Sequence, residues 1–167
     1  MIHETICHWL ITIPSRTFNH LQPGMGLILR CWVAWQFLKS GWLKVDSWDT
    51  TLFLFAEEYR VPLLSPTLAA VTGTAGELLF SALVAVGLCG RLSAVGLSAV
   101  NAMAVYAYAH VLLSAGFEAA LAQHVLWGMM LIVIVIYGPG QISVDHLLTR
   151  QRTANRVIVS EPEGLSV

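Results

Sequence analysis

The chain has 167 residues, 56% of them hydrophobic and only 11% charged, where an ordinary soluble domain carries about 25% charged residues. That leaves too few charges to solvate a globular surface of this size, and the hydrophobicity excludes a disordered chain. The net charge of −1 gives no basic footprint, so no nucleic-acid partner is expected. The length suits one domain, and the composition points to a small integral membrane protein in contact with the lipid bilayer.

The N-terminus is not an ordinary signal peptide: His3 and Glu4 stand where a basic region belongs, and no small-residue cleavage site follows. Ile2, Ile6, Trp9, Leu10 and Ile13 share one helical face, which predicts a short amphipathic helix on the membrane surface within residues 1–22. Four stretches then reach the roughly 20 mostly apolar residues that a spanning helix needs. They are Gly24–Trp42, Leu63–Cys89, Leu92–Ala115 and Ala119–Tyr137. The second and third are joined by Gly90-Arg91, the third and fourth around Gly116-Phe117-Glu118. Joins this short force antiparallel neighbours. The expected fold is all-α: an integral membrane four-helix up-down bundle over residues 23–148.

One long connection, Leu43 to Pro62, mixes Lys44, Asp46, Asp49, Glu57, Glu58 and Arg60 with Trp48, Phe53, Phe55 and Tyr59. This composition suits the headgroup layer and also offers aromatic anchors within a charged rim for a protein partner or a second copy. Residues 149–167 read as a polar cytoplasmic tail whose end, past Arg156, lacks ordered structure. The face holding both termini carries Arg16, Arg91, Arg150, Arg152 and Arg156, the other Lys39, Lys44 and Arg60. The excess of basic residues places both termini in the cytoplasm.

Two charges fall inside the spans. Arg30 lies 13 residues before Leu43, and Glu77 lies 13 residues after Leu64. At 1.5 Å per residue both sit about 20 Å from the same face. An intramembrane charge is normally paired or placed in a cavity, so Arg30 and Glu77 are expected to meet, with Asn101 of the third span donating to Glu77. Such a pair either fixes helix register or belongs to a site for a quinone headgroup, a metal or a proton. His110 and His124, near the outer ends of the third and fourth spans, are the candidate ligands for a metal such as copper or for a quinone carbonyl. His110 is nine residues from Asn101, half a turn off its face, so the two cannot both point inward. Cys7, Cys31 and Cys89 form no CxxC or CxxCH pattern, and Cys31 and Cys89, which lie in apolar runs, read as packing residues. Trp32, Trp35, Trp42, Trp48 and Trp127 read as interfacial anchors. No phosphate loop or nucleophile elbow is present, no catalytic residue is assigned, and the balance leans away from an enzyme.

The chain resembles the DoxX family of small four-helix membrane proteins over about Leu27 to Leu148. The resemblance is carried by LILRCWVAWQFLKSGWLK with Arg30 and Gly41, FAEEYRVPLLSPTLAA with Pro62, TAGELLFSALVAVGLCGR with Glu77 and Arg91, and HVLWGMMLIVIVIYGPGQISVDHLL with Trp127, Gly138, Pro139, Gly140 and Asp145. It implies a bacterial inner-membrane protein that accompanies redox or stress systems, with a subgroup that accompanies copper-binding peptides as the nearest in pattern. Three functions compete: an accessory subunit of redox or metal-stress systems without its own active site, a quinone-interacting oxidoreductase subunit, and a small transporter or metal-handling protein.

Overall fold

The computed structural model describes the backbone of residues 13–160 and the side chains of residues 18–153. Most of the expected N-terminal surface helix lies outside these residues. The described chain is helical throughout: α1 Ile13–Asp46, α2 Trp48–Glu57, α3 Pro66–Val86, α4 Gly90–Ala107, α5 Ala109–Leu112, α6 Glu118–Tyr137 and α7 Val144–Ser160. α1 packs on α3, α3 on α4, α4 on α6, and α6 back on α1. Local signals set the ends of α3. Ser65 caps its start and Pro66 occupies the first turn, where a missing N–H costs nothing. Gly87, with φ 71°, closes its end, and α4 begins at Gly90. This tight turn makes α3 and α4 antiparallel neighbours.

Inside the ring lies an apolar layer of Val33, Ala34 and Phe37 from α1, Val84 from α3, Ala94 and Leu97 from α4, and Leu131 and Ile134 from α6. The outward faces are equally apolar. Leu79, Leu92, Ile132 and Ile136 are each more than half exposed. Helices that are apolar all round belong in a nonpolar solvent, and α3 and α6 are each long and apolar enough to cross a membrane.

α1 is much longer than its partners. A Cβ on Gly87 would touch Arg30, and a Cβ on Gly41 would touch Leu78, so Arg30 is level with the α3–α4 turn. Residues 13–29 of α1 therefore run past that turn, by about 25 Å at 1.5 Å per residue. Near Gly24 and Gly26 there is open space, and Phe18, Leu21, Met25 and Ile28 are exposed. At the other end α1 stops at Asp46, while α3 continues beyond it. α2 folds over that excess, packing Phe55 on Ala69 and Ala70.

Three expectations change. The connection from Leu43 to Pro62 is largely helical, because Phe55 with Leu52 and Tyr59 finds an apolar seat on α3. The third span breaks at Tyr108 and resumes as the short α5. Helix α7 runs from Val144 to Ser160, into the stretch expected to lack order.

Candidate functional site

Glu77 meets Lys44, and not Arg30. The Lys44 ammonium donates to both Glu77 carboxylate oxygens at 2.6 Å and to the Ser40 hydroxyl at 2.9 Å. The expected Arg30–Glu77 pair fails because its depth argument assumed that the first two spans leave the bundle at equal heights. α3 rises above the end of α1, so the residue facing Glu77 is near Gly41. Gly41 is the enabling position: a side chain there would reach Leu78 at 2.9 Å and the Glu77 Cβ at 3.3 Å. Its absence brings the two backbones close enough for Lys44, less than one turn on, to reach back to the carboxylate. The pair is largely withdrawn from solvent, with the Glu77 side chain 9% and the Lys44 side chain 18% exposed.

Beside this pair α1, α2 and Tyr59 border a half-open cavity of about 280 Å³. Lys44 and the hydroxyl residues Ser40, Ser47, Thr50 and Thr51 give it polar walls, while Leu43, Leu54, Phe55 and Tyr59 give it apolar and aromatic ones. Thr51 donates to the Lys44 carbonyl at 3.0 Å and so ties α2 to the end of α1. Tyr59 stacks edge-on against Phe55 at 4.8 Å and Tyr108 at 5.2 Å, and the Arg60 N–H reaches the Ala107 carbonyl at 3.0 Å. Burial pushes the Tyr59 hydroxyl above its ordinary pKa, and Tyr108, Glu77 and Glu58 add to the shift. The Thr74 hydroxyl, one turn before Glu77, is buried and has no hydrogen-bond partner among the described residues.

Asn101 does not reach Glu77; it bridges to α6. Its amide donates to the His124 carbonyl at 3.0 Å, and its side-chain oxygen lies 2.8 Å from His124 Nδ1. With the amide oriented by the first bond, Nδ1 carries the proton in the second. His124 also stacks on Trp127 at 4.9 Å, and Trp127 stacks on Phe37 at 5.5 Å. His110 is exposed and packs on Tyr108 at 5.6 Å. The two histidines thus have different neighbours. Among the described residues no group of three His, Cys, Asp or Glu side chains is placed to hold a metal ion. Pro62 is exposed in the α2–α3 connection.

Arg30 belongs to the opposite end. It is 1% exposed and donates to the Pro139 carbonyl and, at 2.6 Å, to the Ile142 carbonyl. This spares a guanidinium from the middle of an apolar layer. Asp145 completes the join by accepting from the Cys89 and Gly90 N–H groups at 2.8 and 2.7 Å, while its own N–H reaches the Gly87 carbonyl at 3.0 Å. Gly138 and Gly140 turn the chain there with φ 84° and 80°, and Arg91 lies against Gly138. Most of the motif positions named from the sequence therefore meet in one lock between the α3–α4 turn and the α6–α7 loop. Between that lock and the Lys44–Glu77 site stands the apolar layer.

The residues missed from sequence are Lys44, Ser40, Thr51 and Tyr59. Lys44 had been assigned to the connection because apolarity falls at Leu43. The available signal was local: Gly41, Lys44 and Ser40 lie within about one turn of each other on a helix that has no reason to stop at Trp42.

Residues 25–111, a little over half of the chain, match the DoxX family model. The match covers α1 from Met25, all of α2, α3 and α4, and α5 up to Val111, and so includes both members of the ion pair. No curated protein and no solved structure matches the chain. With Arg30, Gly41, Pro62, Glu77 and Arg91 all inside the matched segment, the chain belongs to the DoxX family.

Proposed function

We propose that this protein is a four-helix inner-membrane accessory subunit of a redox system, with both termini in the cytoplasm, and that its outward-facing cavity receives a quinone headgroup. The observation that carries the reading is the Lys44–Glu77 pair beside a mainly apolar cavity lined by Lys44, four hydroxyl residues, Phe55 and Tyr59. α1, α3, α4 and α6 form one ring, and two of its members are already long and apolar enough to cross a membrane. Arg91, Arg150 and Arg152 at the turn end favour the cytoplasm for that end.

The pair suits the carbonyl end of such a ligand. Lys44, which lines the cavity, can donate to a quinone carbonyl while Glu77 holds the ammonium in place. Phe55 and Tyr59 offer edges and faces to a flat ring. The volume fits a single substituted ring with its tail left in lipid. The chain's part is to hold and orient the headgroup; electron transfer belongs to a partner.

The test is equilibrium binding of a tail-less dimethoxy-methylbenzoquinone to protein in nanodiscs. Saturable binding by the wild type and at least tenfold weaker binding by Lys44→Met is the expected result. Equal binding by both, or none above empty discs, would sink the proposal.

A further inference from the structure

We propose that α7 is a membrane-surface anchor that selects anionic lipid, with Leu147 and Leu148 seated among the headgroups and Arg150 and Arg152 on lipid phosphates. The proposal rests on the membrane reading above but uses a different part of the molecule.

α7 is held where a bilayer surface would be. Its first turn is fixed to the α3–α4 turn by Asp145, at the end of a helix long and apolar enough to cross a membrane. Residues 147 to 153 of α7 are exposed. At about 100° per residue, Val144, Leu147, Leu148 and Gln151 fall within one arc of about 100°. Arg152 borders that arc on one edge and Arg150 on the other. His146, Thr149 and Thr153 lie on the far side. An arc of three apolar residues and Gln151 with an arginine near each edge is the pattern of a helix lying in an interface, since the long side chains bury their stems and carry their charges to the phosphates.

Charge chooses the occupant. Asp145, the only acid in this part of the helix, has both oxygens engaged by backbone N–H groups. The exposed charge is therefore that of Arg150 and Arg152, each contributing attraction to an anionic leaflet that salt screens. A zwitterionic surface gives the arginines no net partner.

The experiment uses the full chain with Cys7, Cys31 and Cys89 replaced by Ser. A fluorophore is placed at Leu148→Cys or, as a control on the outward face of α6, at Ile132→Cys. Nanodiscs carry phosphatidylcholine alone or phosphatidylcholine with phosphatidylglycerol. The Leu148 label should be shielded from a water-soluble quencher and reached by a headgroup-level lipid quencher in the phosphatidylglycerol discs. The shielding should weaken in high salt and be lost in Arg150→Gln/Arg152→Gln. Equal shielding in both lipids, or shielding that survives the arginine substitutions, overturns the proposal. Shielding that appears only when two proteins share a disc overturns it in favour of a second copy. A Leu148 label in water beside an Ile132 label in hydrocarbon removes the anchor and leaves the membrane reading standing; both labels in water removes both.

Discussion

Glu77 takes its countercharge from Lys44, fourteen residues further along α1 than Arg30, while Arg30 is spent on two backbone carbonyls at the other end of the helix ring. The two charged groups that look like partners in the sequence thus belong to separate devices. Arg30 faces Gly87 and Glu77 faces Gly41, so they are about 16 Å apart along the helix axis at 1.5 Å per residue.

Separation at that distance predicts additivity. Glu77→Leu should lower stability by about 3 kcal/mol, the low end for breaking a buried pair, because Lys44 keeps some contact with solvent. Lys44→Met/Glu77→Leu should be milder than either single change. Arg30→Gln/Glu77→Gln should equal the sum of its parts. Thermal unfolding in detergent over the two double-mutant cycles checks this; a coupling above about 1 kcal/mol between Arg30 and Glu77 would contradict the register described here.

Two glycines should respond unequally to alanine. At Gly90 the added Cβ meets the Pro139 ring at 2.5 Å, and at Gly41 it meets the Leu78 side chain at 2.9 Å. A proline ring cannot move aside, so Gly90→Ala should cost about 2–3 kcal/mol as an overpacking change. Leu78 can shift its end, and alanine's better helix propensity of about 1 kcal/mol offsets the crowding, so Gly41→Ala should be near neutral. Gly41→Leu should separate α1 from α3 and weaken headgroup binding. Melting temperatures for the three variants give the order.

Asp145 accepts two N–H groups that begin α4. Asp145→Ala should cost about 2–4 kcal/mol, since hydrogen bonds to a charged acceptor contribute about 1.5–3 kcal/mol each and water replaces part of the loss. Asp145→Asn keeps one acceptor oxygen and should fall between. Faster amide exchange at Cys89 and Gly90 would report the loss at its source.

Tyr59 predicts a loss of stability in alkali. Its hydroxyl has a pKa raised above the ordinary 10.0, first by burial. Above pH 10 the unfolded chain gives up this proton before the folded one does, so folding stability falls as pH rises through that region and is unaffected below it. Tyr59→Phe should flatten that alkaline slope. A phenolate absorbance titration of the wild type against this variant locates the shifted group.

Reporter fusions test the orientation. A fusion at Gly116 should report the outer side and one at Leu165 the cytoplasm. The same side for both would overturn the even number of crossings.

The long helices were legible because uninterrupted apolarity and short joins leave few other choices. The antiparallel turn between α3 and α4 was legible in the same way, although it falls at residues 87–89 and the expected join Gly90-Arg91 is taken into the first turn of α4. The charge pairing was not, because depth was counted from where apolarity ends, whereas α1 continues to Asp46 and α3 overshoots it. α2 was hidden for a related reason: its helix covers the step between two unequal helices, a step that a count along either one does not reveal. The order of α7 depends on Asp145 bonding 55 residues back, a contact no local pattern encodes.

The lock at Arg30 also sets an order of assembly. Its acceptor Pro139 is separated from it by 109 positions, so during synthesis the guanidinium is made long before its partners exist. Every partly made chain, and every chain truncated ahead of Pro139, leaves the Arg30 guanidinium without these two carbonyl partners. Arrival of the α6–α7 loop supplies them. The same residue that fastens the finished protein therefore distinguishes it from an unfinished one.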